Sequence, residues 1–358
     1  MNDFSTLGGL RVLVTGQTGF KGGWLSLWLH RLGAEVYGIG LQPSARPNLF
    51  DAVGLDVTIS SRIVDIRDAA ALREAVCAIQ PQLVFHLAAQ PLVRQSYRDP
   101  LDTFATNVMG TAHLLDACRQ LQGLRAVICV TTDKVYENRE WPWPYRESDR
   151  LGGKDPYSAS KASAELVCQC YRRSYFDPRQ VPVLTARGGN VIGGGDFSAD
   201  RLLPDIVRAR AAGATLSIRS PEAVRPWQHV LALCHGYLRL AEAALSAQIA
   251  PDGAWNFGPS PDDFASVREL VQRCAQAGFA PAVELATRPN PAEAMLLTLD
   301  SSKAHQVLGW RPALALDEAI AWTLDWYLAA ERGESMGEKT MQQIATYAAR
   351  LQGAGGAC

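Results

Sequence analysis

Tyr157 and Lys161 stand four residues apart in DPYSASK, directly after Pro156 and at the start of a helical pattern, so both project from one helix face. An ammonium beside a phenol favours the phenolate, which makes tyrosine usable as a base near neutral pH. The alternative is an amphipathic helix whose tyrosine and lysine coincide by chance. A second group follows a predicted strand in VTTDKVY, where Thr131 and Thr132 precede Asp133 and Lys134. The Thr132 hydroxyl is placed to hydrogen-bond a substrate hydroxyl, and Asp133 and Lys134 enter the same cleft as an adjacent acid and base. Oxidising or epimerising an alcohol needs only the hydroxyl, the tyrosine and the lysine; an elimination needs the acid and base as well.

A scaffold must gather these groups. Residues 10–16, 35–40, 62–65, 82–88 and 125–131 read as strands alternating with helical patterns, as a parallel sheet with crossover helices requires. A helical stretch over 157–176 and a strand over 181–190 extend the pattern. The carboxyl ends of such strands are where an open sheet collects its reacting groups. The first strand runs into GQTGFKG, with Gly16, Gly19 and Gly22 at three-residue intervals before the helical WLSLWLHRLG. Glycines there permit a tight turn and close backbone approach to a pyrophosphate, and the helix N-terminus attracts its charge. This predicts dinucleotide binding by Gly16, Thr18, Gly19, Phe20, Lys21 and Gly22. The end of the second strand, 38–42, lacks the acidic residue that normally meets the adenosine ribose, and Arg46, between Pro43 and Pro47, reads as a solvated loop charge. The expected fold class is α/β: a Rossmann-type doubly wound parallel sheet over about 1–187, to which later segments return, with a smaller, mainly substrate-binding C-terminal region over 188–340. Residues 341–358 are expected to form a tail, frayed at GAGGAC.

The chain has 358 residues, 47% of them hydrophobic, which is ample for a sizeable core. With Lys+Arg 35 against Asp+Glu 36, no general field draws nucleic acid or an anionic membrane, so an anionic ligand must be met by local groups. The sequence shows neither a secretory signal nor an apolar run of roughly 18 residues, and a cytoplasmic location is expected. No CxxC pairs the eight cysteines. Cys77, Cys118, Cys129 and Cys234 lie in apolar segments, and Cys168 and Cys170 point to different helix faces, so all read as packing residues. The six histidines include no zinc-type spacing, and no metal is expected. Trp24 and Trp28, at i and i+4, read as core-facing.

The GxxGxxG spacing, together with the tyrosine–lysine pair, resembles the extended short-chain dehydrogenase/reductase family. Asp65-Ile66 after the third strand, His86-Leu87-Ala88-Ala89 after the fourth and Asn107 in TNVMGT carry the likeness further. The stretches VTGQTGFKGGWLSLWL, FHLAAQPLVRQSY, TTDKVYENREW, GNVIGGGDFSADRLLPD, RPWQHV and WNFGP resemble the CDP-glucose branch of its nucleotide-sugar 4,6-dehydratases over nearly the whole chain. Asp133-Lys134 matches that branch, where dTDP-glucose relatives carry Asp-Glu; Gln17 stands where a histidine is usual. The resemblance implies NAD as cofactor, with Asp65, Ile66, Leu87, Ala88, Ala89, Asn107, Tyr157 and Lys161 completing its site. It implies that Tyr157, supported by Lys161 and Thr132, deprotonates the glucose 4-hydroxyl while hydride leaves C4. Asp133 and Lys134 then share the acid and base of the C5/C6 elimination, in either order, before the hydride returns to C6. CDP-glucose as substrate rests on the resemblance, because no residue physically dictates cytosine.

A nucleoside diphosphate needs donors and cations, and Arg201 in DRLLP, Arg219 in SIRSP and Arg225 in VRPWQHV supply them unless they pair with Asp196, Asp200 or Glu222. Asn190 resembles a family position that donates to the diphosphate, and Gln90 and His229 are assigned substrate-binding roles beside it. Helical stretches 100–120 and 157–176 carry apolar stripes beyond the needs of one core, and relatives dimerise through such a pair, so a homodimer is expected. The rival readings are a nucleotide-sugar 4-epimerase, a dehydratase of another nucleotide-glucose, and a non-enzymatic NAD-binding scaffold.

Overall fold

A computed structural model describes residues 4–43, 46–247, 253–286 and 294–354. Seven strands pair in parallel in the order β7-β6-β5-β4-β1-β2-β3. They are β1 (Arg11–Thr15), β2 (Glu35–Gly40), β3 (Ser60–Ile63), β4 (Leu83–His86), β5 (Ala126–Val130), β6 (Val183–Gly188) and β7 (Ala254–Phe257). The helices that matter most here are α1 (Phe20–Arg31), α2 (Gly110–Cys118), α3 (Pro156–Tyr171), α4 (Val230–Leu245) and α5 (Met336–Ala354). The strand order reverses between β1 and β4, and such a switch point opens a crevice at the carboxyl edge of the sheet.

Val12 and Val14 of β1, Leu83 and Phe85 of β4, and Ala126 and Ile128 of β5 pack into one layer, while Leu13, Val84 and Val127 between them pack into the other. Strand side chains alternate with period two, so strands covered on both faces read as continuous apolar runs. Trp24 and Trp28 are fully buried in the first layer, as their spacing predicts. β3 forms two residues before the predicted 62–65. It is an edge strand whose side chains are largely exposed, so no apolar pattern marks its bounds.

The chain beyond 187 returns to the sheet as β7, and α4 packs its apolar face onto the first layer. Short strand pairs outside the sheet join Leu216–Ile218 to Val283–Leu285 and Val224–Arg225 to Ala265–Ser266, forming the smaller region above the carboxyl ends. The segment set apart as a tail is helical through Ala354. Its Ile344, Tyr347 and Leu351 are buried, and Tyr347 meets Trp28 edge-on at 5.7 Å, so the segment belongs to the core. Residues 355–358, most of the stretch expected to fray, lie outside the described residues. No helix among the described residues is long and apolar enough to cross a membrane.

Candidate active site

The turn after β1 is closed by backbone contacts that only glycine allows. Gly16 has φ +78°, and a Cβ on it would stand 2.7 Å from the Ala88 nitrogen; a Cβ on Gly22 would stand 2.1 Å from the Gly16 carbonyl oxygen. Helix α1 therefore starts flush against the turn, with Gly19 as an N-cap that contributes no side-chain bond. Its leading N–H groups remain available to an anion. The geometry fits a dinucleotide pyrophosphate, with Gly16, Thr18, Gly19, Phe20, Lys21 and Gly22 around it. Lys21 also approaches the reacting groups. Burial first, then Lys161 and Arg201, bring its ammonium down to about 8 against the pull of Cys234 and Asp133.

The missing acidic residue after β2 has a structural counterpart. Gln17 is fully buried and donates through Nε2 to Ser61 Oγ of β3 at 2.8 Å. Its side chain occupies the space that a Cβ on Gly38 or Gly40 would need, at 2.4 and 2.8 Å. Gln17 thus ties the turn to the edge strand.

Beneath Leu87, Ala88 and Ala89 runs a buried chain of hydrogen bonds. The Ala88 N–H donates to Thr15 Oγ1 (3.3 Å), which meets His86 Nδ1 (2.7 Å); His86 Nε2 meets Thr111 Oγ1 (3.0 Å), whose hydroxyl donates to the Asn107 carbonyl (2.7 Å). Because Thr111 gives its proton to Asn107, the imidazole carries its hydrogen on Nε2 and accepts from Thr15 on Nδ1. Burial, then Lys161, lowers His86 to about 3, so the ring stays neutral.

Three cofactor assignments are corrected in their detail. The Asn107 amide is consumed within the protein, accepting from Gln90 N–H (2.8 Å) and donating to the Gln90 carbonyl (3.1 Å) and Ser160 Oγ (2.9 Å); it fastens the 90-loop to α3 instead of facing a nucleotide. The Ile66 side chain is buried against Gly110, which leaves only its main chain for a ligand. Asp65 is held by Arg67 Nε at 2.9 Å, and that bond lowers its pKa.

The reacting groups converge on a cavity of about 340 Å³ lined by Thr132, Asp133, Lys134, Tyr157, Arg201 and Arg225, among others. Asp155 caps α3 by accepting from the Ser158 N–H (2.9 Å), with Pro156 in the first turn, and this aims Tyr157 into the cavity. Burial pushes the Tyr157 phenol up to about 12; Arg201 and then the Thr132 hydroxyl pull it back. The expected ammonium partner is therefore corrected. Lys161 donates to the Val130 carbonyl (3.2 Å) and burial brings it down to about 8, whereas Arg201 is the cation that acts most on the phenol. Thr132 donates to Asp133 Oδ1 (2.8 Å). Asp133 Oδ2 is buried without a hydrogen bond, and burial raises this carboxyl despite Lys134, the Thr132 bond and Arg225. Lys134 moves the other way, lowered by burial against the attraction of Asp133.

Asn190 and Arg219 also line the cavity, Arg219 with Asp200 at 3.4 Å. Glu222 pairs with Arg268 and Asp196 accepts from the Ser198 N–H, so neither neutralises the three arginines. Two substrate assignments fail on geometry. His229 is wedged edge-on between Trp24 and Trp322, each 6.0 Å away, and its Nδ1 accepts from the Leu231 N–H as the N-cap of α4; burial keeps it neutral, near 3. Gln90 turns back on its own loop, bonding Leu92 O (3.1 Å), Leu92 N (2.6 Å) and Thr103 Oγ1 (2.9 Å), and so shapes the 91–94 segment that lines the cavity. Sequence reasoning missed Arg94 on that segment and Tyr97 three residues beyond it; Arg94 reaches Asp200 at 2.9 Å. Their only signal lay inside PLVRQSY. Among the described residues no cluster of three or more His, Cys, Asp or Glu is arranged to hold a metal ion.

A sequence model of the family described as GDP-mannose 4,6 dehydratase matches residues 13–323. A CDP-glucose 4,6-dehydratase of Salmonella typhimurium is 45% identical over 345 residues, covering 95% of this chain and 96% of that one. A UDP-glucose 4-epimerase of Mycolicibacterium smegmatis is 28% identical over 89% of this chain and 98% of its own. Among solved structures, a dTDP-glucose 4,6-dehydratase double mutant from Streptomyces venezuelae with NAD bound superposes with a TM-score of 0.79 at 26% identity, covering 91% of this chain and 99% of that one.

Proposed function

The chain belongs to the GDP-mannose 4,6-dehydratase family of extended short-chain dehydrogenase/reductases, and from that premise we propose that it is a nucleotide-sugar 4,6-dehydratase acting on CDP-glucose with NAD as cofactor. One observation carries the reading beyond the family. Thr132, Asp133, Lys134 and Tyr157 line a single cavity, and burial drives the adjacent carboxyl up and the adjacent ammonium down. That is the direction an elimination needs: a carboxyl drawn toward keeping its proton beside an ammonium drawn toward losing one. An epimerase has no leaving group to protonate.

NAD would be held over the glycine turn by Gly16, Gly19, Gly22 and the leading N–H groups of α1, and would supply the hydride chemistry at C4 and C6. Tyr157 takes the 4-hydroxyl proton, and Arg201 is the charge that most offsets the burial holding its phenol up. The ketone at C4 acidifies C5–H, and Lys134 in its neutral form removes that proton. Asp133, whose carboxyl burial raises, gives a proton to the C6 hydroxyl, which leaves as water. A proton then returns to C5, and no net oxidation results. The electrostatics support this order of acid and base, which the sequence leaves open. Arg201, Arg219, Arg225 and Asn190 offer guanidinium and amide donors to the diphosphate. We extend the proposal to a homodimer, supported by the exposed apolar side chains Leu101, Phe104 and Met109 over 100–118 and Leu166 on α3.

The test is to incubate the purified protein with NAD and, separately, CDP-, dTDP-, UDP- and GDP-glucose in heavy water, following product mass. A product one water lighter, deuterated at C5 and formed from the CDP sugar, supports both reaction and substrate. Water loss from another nucleotide corrects the base; isomerised sugar without mass loss moves the chain to the epimerases.

A further inference from the structure

Tyr157, Lys161 and Glu165 repeat at four-residue intervals along α3, and the mechanism above uses only the first. Glu165 is 5% exposed, and four donors meet its carboxylate. Oε1 accepts from Thr131 Oγ1 (2.5 Å) and Arg187 Nε (3.0 Å); Oε2 accepts from Thr185 Oγ1 (2.7 Å) and Arg187 Nη2 (2.8 Å). Arg187, equally buried on β6, extends the chain through Nη1 to the Tyr136 hydroxyl (2.8 Å) and the Glu147 carbonyl (3.2 Å). Tyr136 stacks under the guanidinium at 4.9 Å and donates to Asn256 Oδ1 of β7 (2.7 Å).

The network thus touches both ends of the reacting turn: Thr131 immediately precedes Thr132, and Tyr136 follows Lys134 by two residues. It anchors that turn to the helix that carries Tyr157 and Lys161. A buried ion pair is weak evidence for stability, because desolvating two charges offsets their attraction and an apolar replacement of similar volume is often as stable. A fully satisfied pair does fix geometry, since neither group can rotate without stranding buried donors. We propose that the Glu165–Arg187 pair is the positioning unit of this active site, holding the Thr132–Lys134 turn against the Tyr157/Lys161 face of α3, an inference that rests on the dehydratase reading above. The same carboxylate faces Lys161 and opposes the effect of burial on it, together with Cys129 and Cys168. The Cys129 side chain, and then burial, push the Cys168 thiol well up, so that thiol is uncharged near neutrality, while Glu165, drawn down by Arg187 despite its burial, carries a full negative charge.

Two measurements test this. Lysine labelled with carbon-13 at Cε gives few signals, because the chain has six lysines, and a Lys161→Met spectrum assigns the relevant one. In Glu165→Gln/Arg187→Met, which leaves no lone buried charge, the Lys161 titration midpoint falls by about one pH unit. In the same variant kcat drops about 100-fold with KM unchanged, as for displaced reacting groups. A folded double variant with the parental midpoint and kcat overturns the proposal. If the double variant does not fold, Thr131→Val decides: it keeps the ion pair, removes one tether, and is expected to lower kcat about tenfold; parental kcat in that variant overturns the proposal equally. A parent that dehydrates none of the nucleotide-glucoses while the Lys161 midpoint still moves refutes the dehydratase assignment and leaves the electrostatic coupling of Glu165 to Lys161 standing.

Discussion

Mild acid is expected to unfold this protein through its interior histidines. His86, His229 and His235 are all buried, and burial lowers each to about 3. An unfolded histidine titrates near 6.5, so between pH 6.5 and 3 the unfolded chain binds protons that the folded chain refuses, and stability falls as pH falls through that window. Moving from pH 7 to pH 5 favours the unfolded state by about 2 kcal/mol per histidine, a figure set by the unfolded value as long as the folded pKa lies well below 5. Three such residues give about 6 kcal/mol, a large part of the roughly 5–15 kcal/mol that holds a typical domain together. With a denaturant slope of about 3 kcal/mol per molar urea, the unfolding midpoint drops by about 2 M. His235 isolates the effect. It lies between Phe4 and Tyr347, ring centroids 6.1 and 6.2 Å away, and neither ring nitrogen has a hydrogen bond of normal geometry. The Arg311 main chain favours the charged ring, but burial outweighs it. His235→Leu should recover about 2 kcal/mol of the loss between pH 7 and 5, read as the change in the variant-minus-parent difference by urea unfolding at both pH values. A variant that loses as much stability as the parent across that interval refutes the reasoning.

Tyr157→Phe should abolish turnover while thermal unfolding stays close to the parent, since only a hydroxyl facing the cavity is lost; retained turnover removes Tyr157 as the base. Asp133→Asn should stop the cycle before water leaves, so a keto sugar that keeps its C6 hydroxyl accumulates and is trapped as its oxime; dehydration at the parental rate reassigns the acid. Gly22→Ala puts a methyl 2.1 Å from the Gly16 carbonyl oxygen and should cost about 1–3 kcal/mol of stability and weaken NAD binding at least about tenfold, by calorimetry. Leu101→Glu with Leu166→Glu should yield monomers in sedimentation, and an unchanged sedimentation coefficient removes the helical face from any dimer contact.

The sequence by itself determined the elements and the kinds of chemistry. Short continuous apolar runs gave strands buried on both faces, Gly16 and Gly22 marked a turn with close backbone approach, and the i,i+4 spacing of Tyr157 and Lys161 placed both on one helix face, because each of these signals is local. What only the tertiary structure decided depends on distant partners. Arg201 acts on Tyr157 from 44 positions away, while Lys161 turns to the Val130 carbonyl. Asn107 is spent on the Gln90 main chain 17 positions away, Gln90 reaches Thr103 13 positions away, and His229 is wedged between Trp24 and Trp322. Asp133 and Lys134 look alike in sequence as candidate acid or base, and burial separates them, raising one and lowering the other. Residue type and spacing name the groups that can react; desolvation and partner choice, which exist only once the sheet's carboxyl edge is closed over by the later segments, assign their charge states and directions.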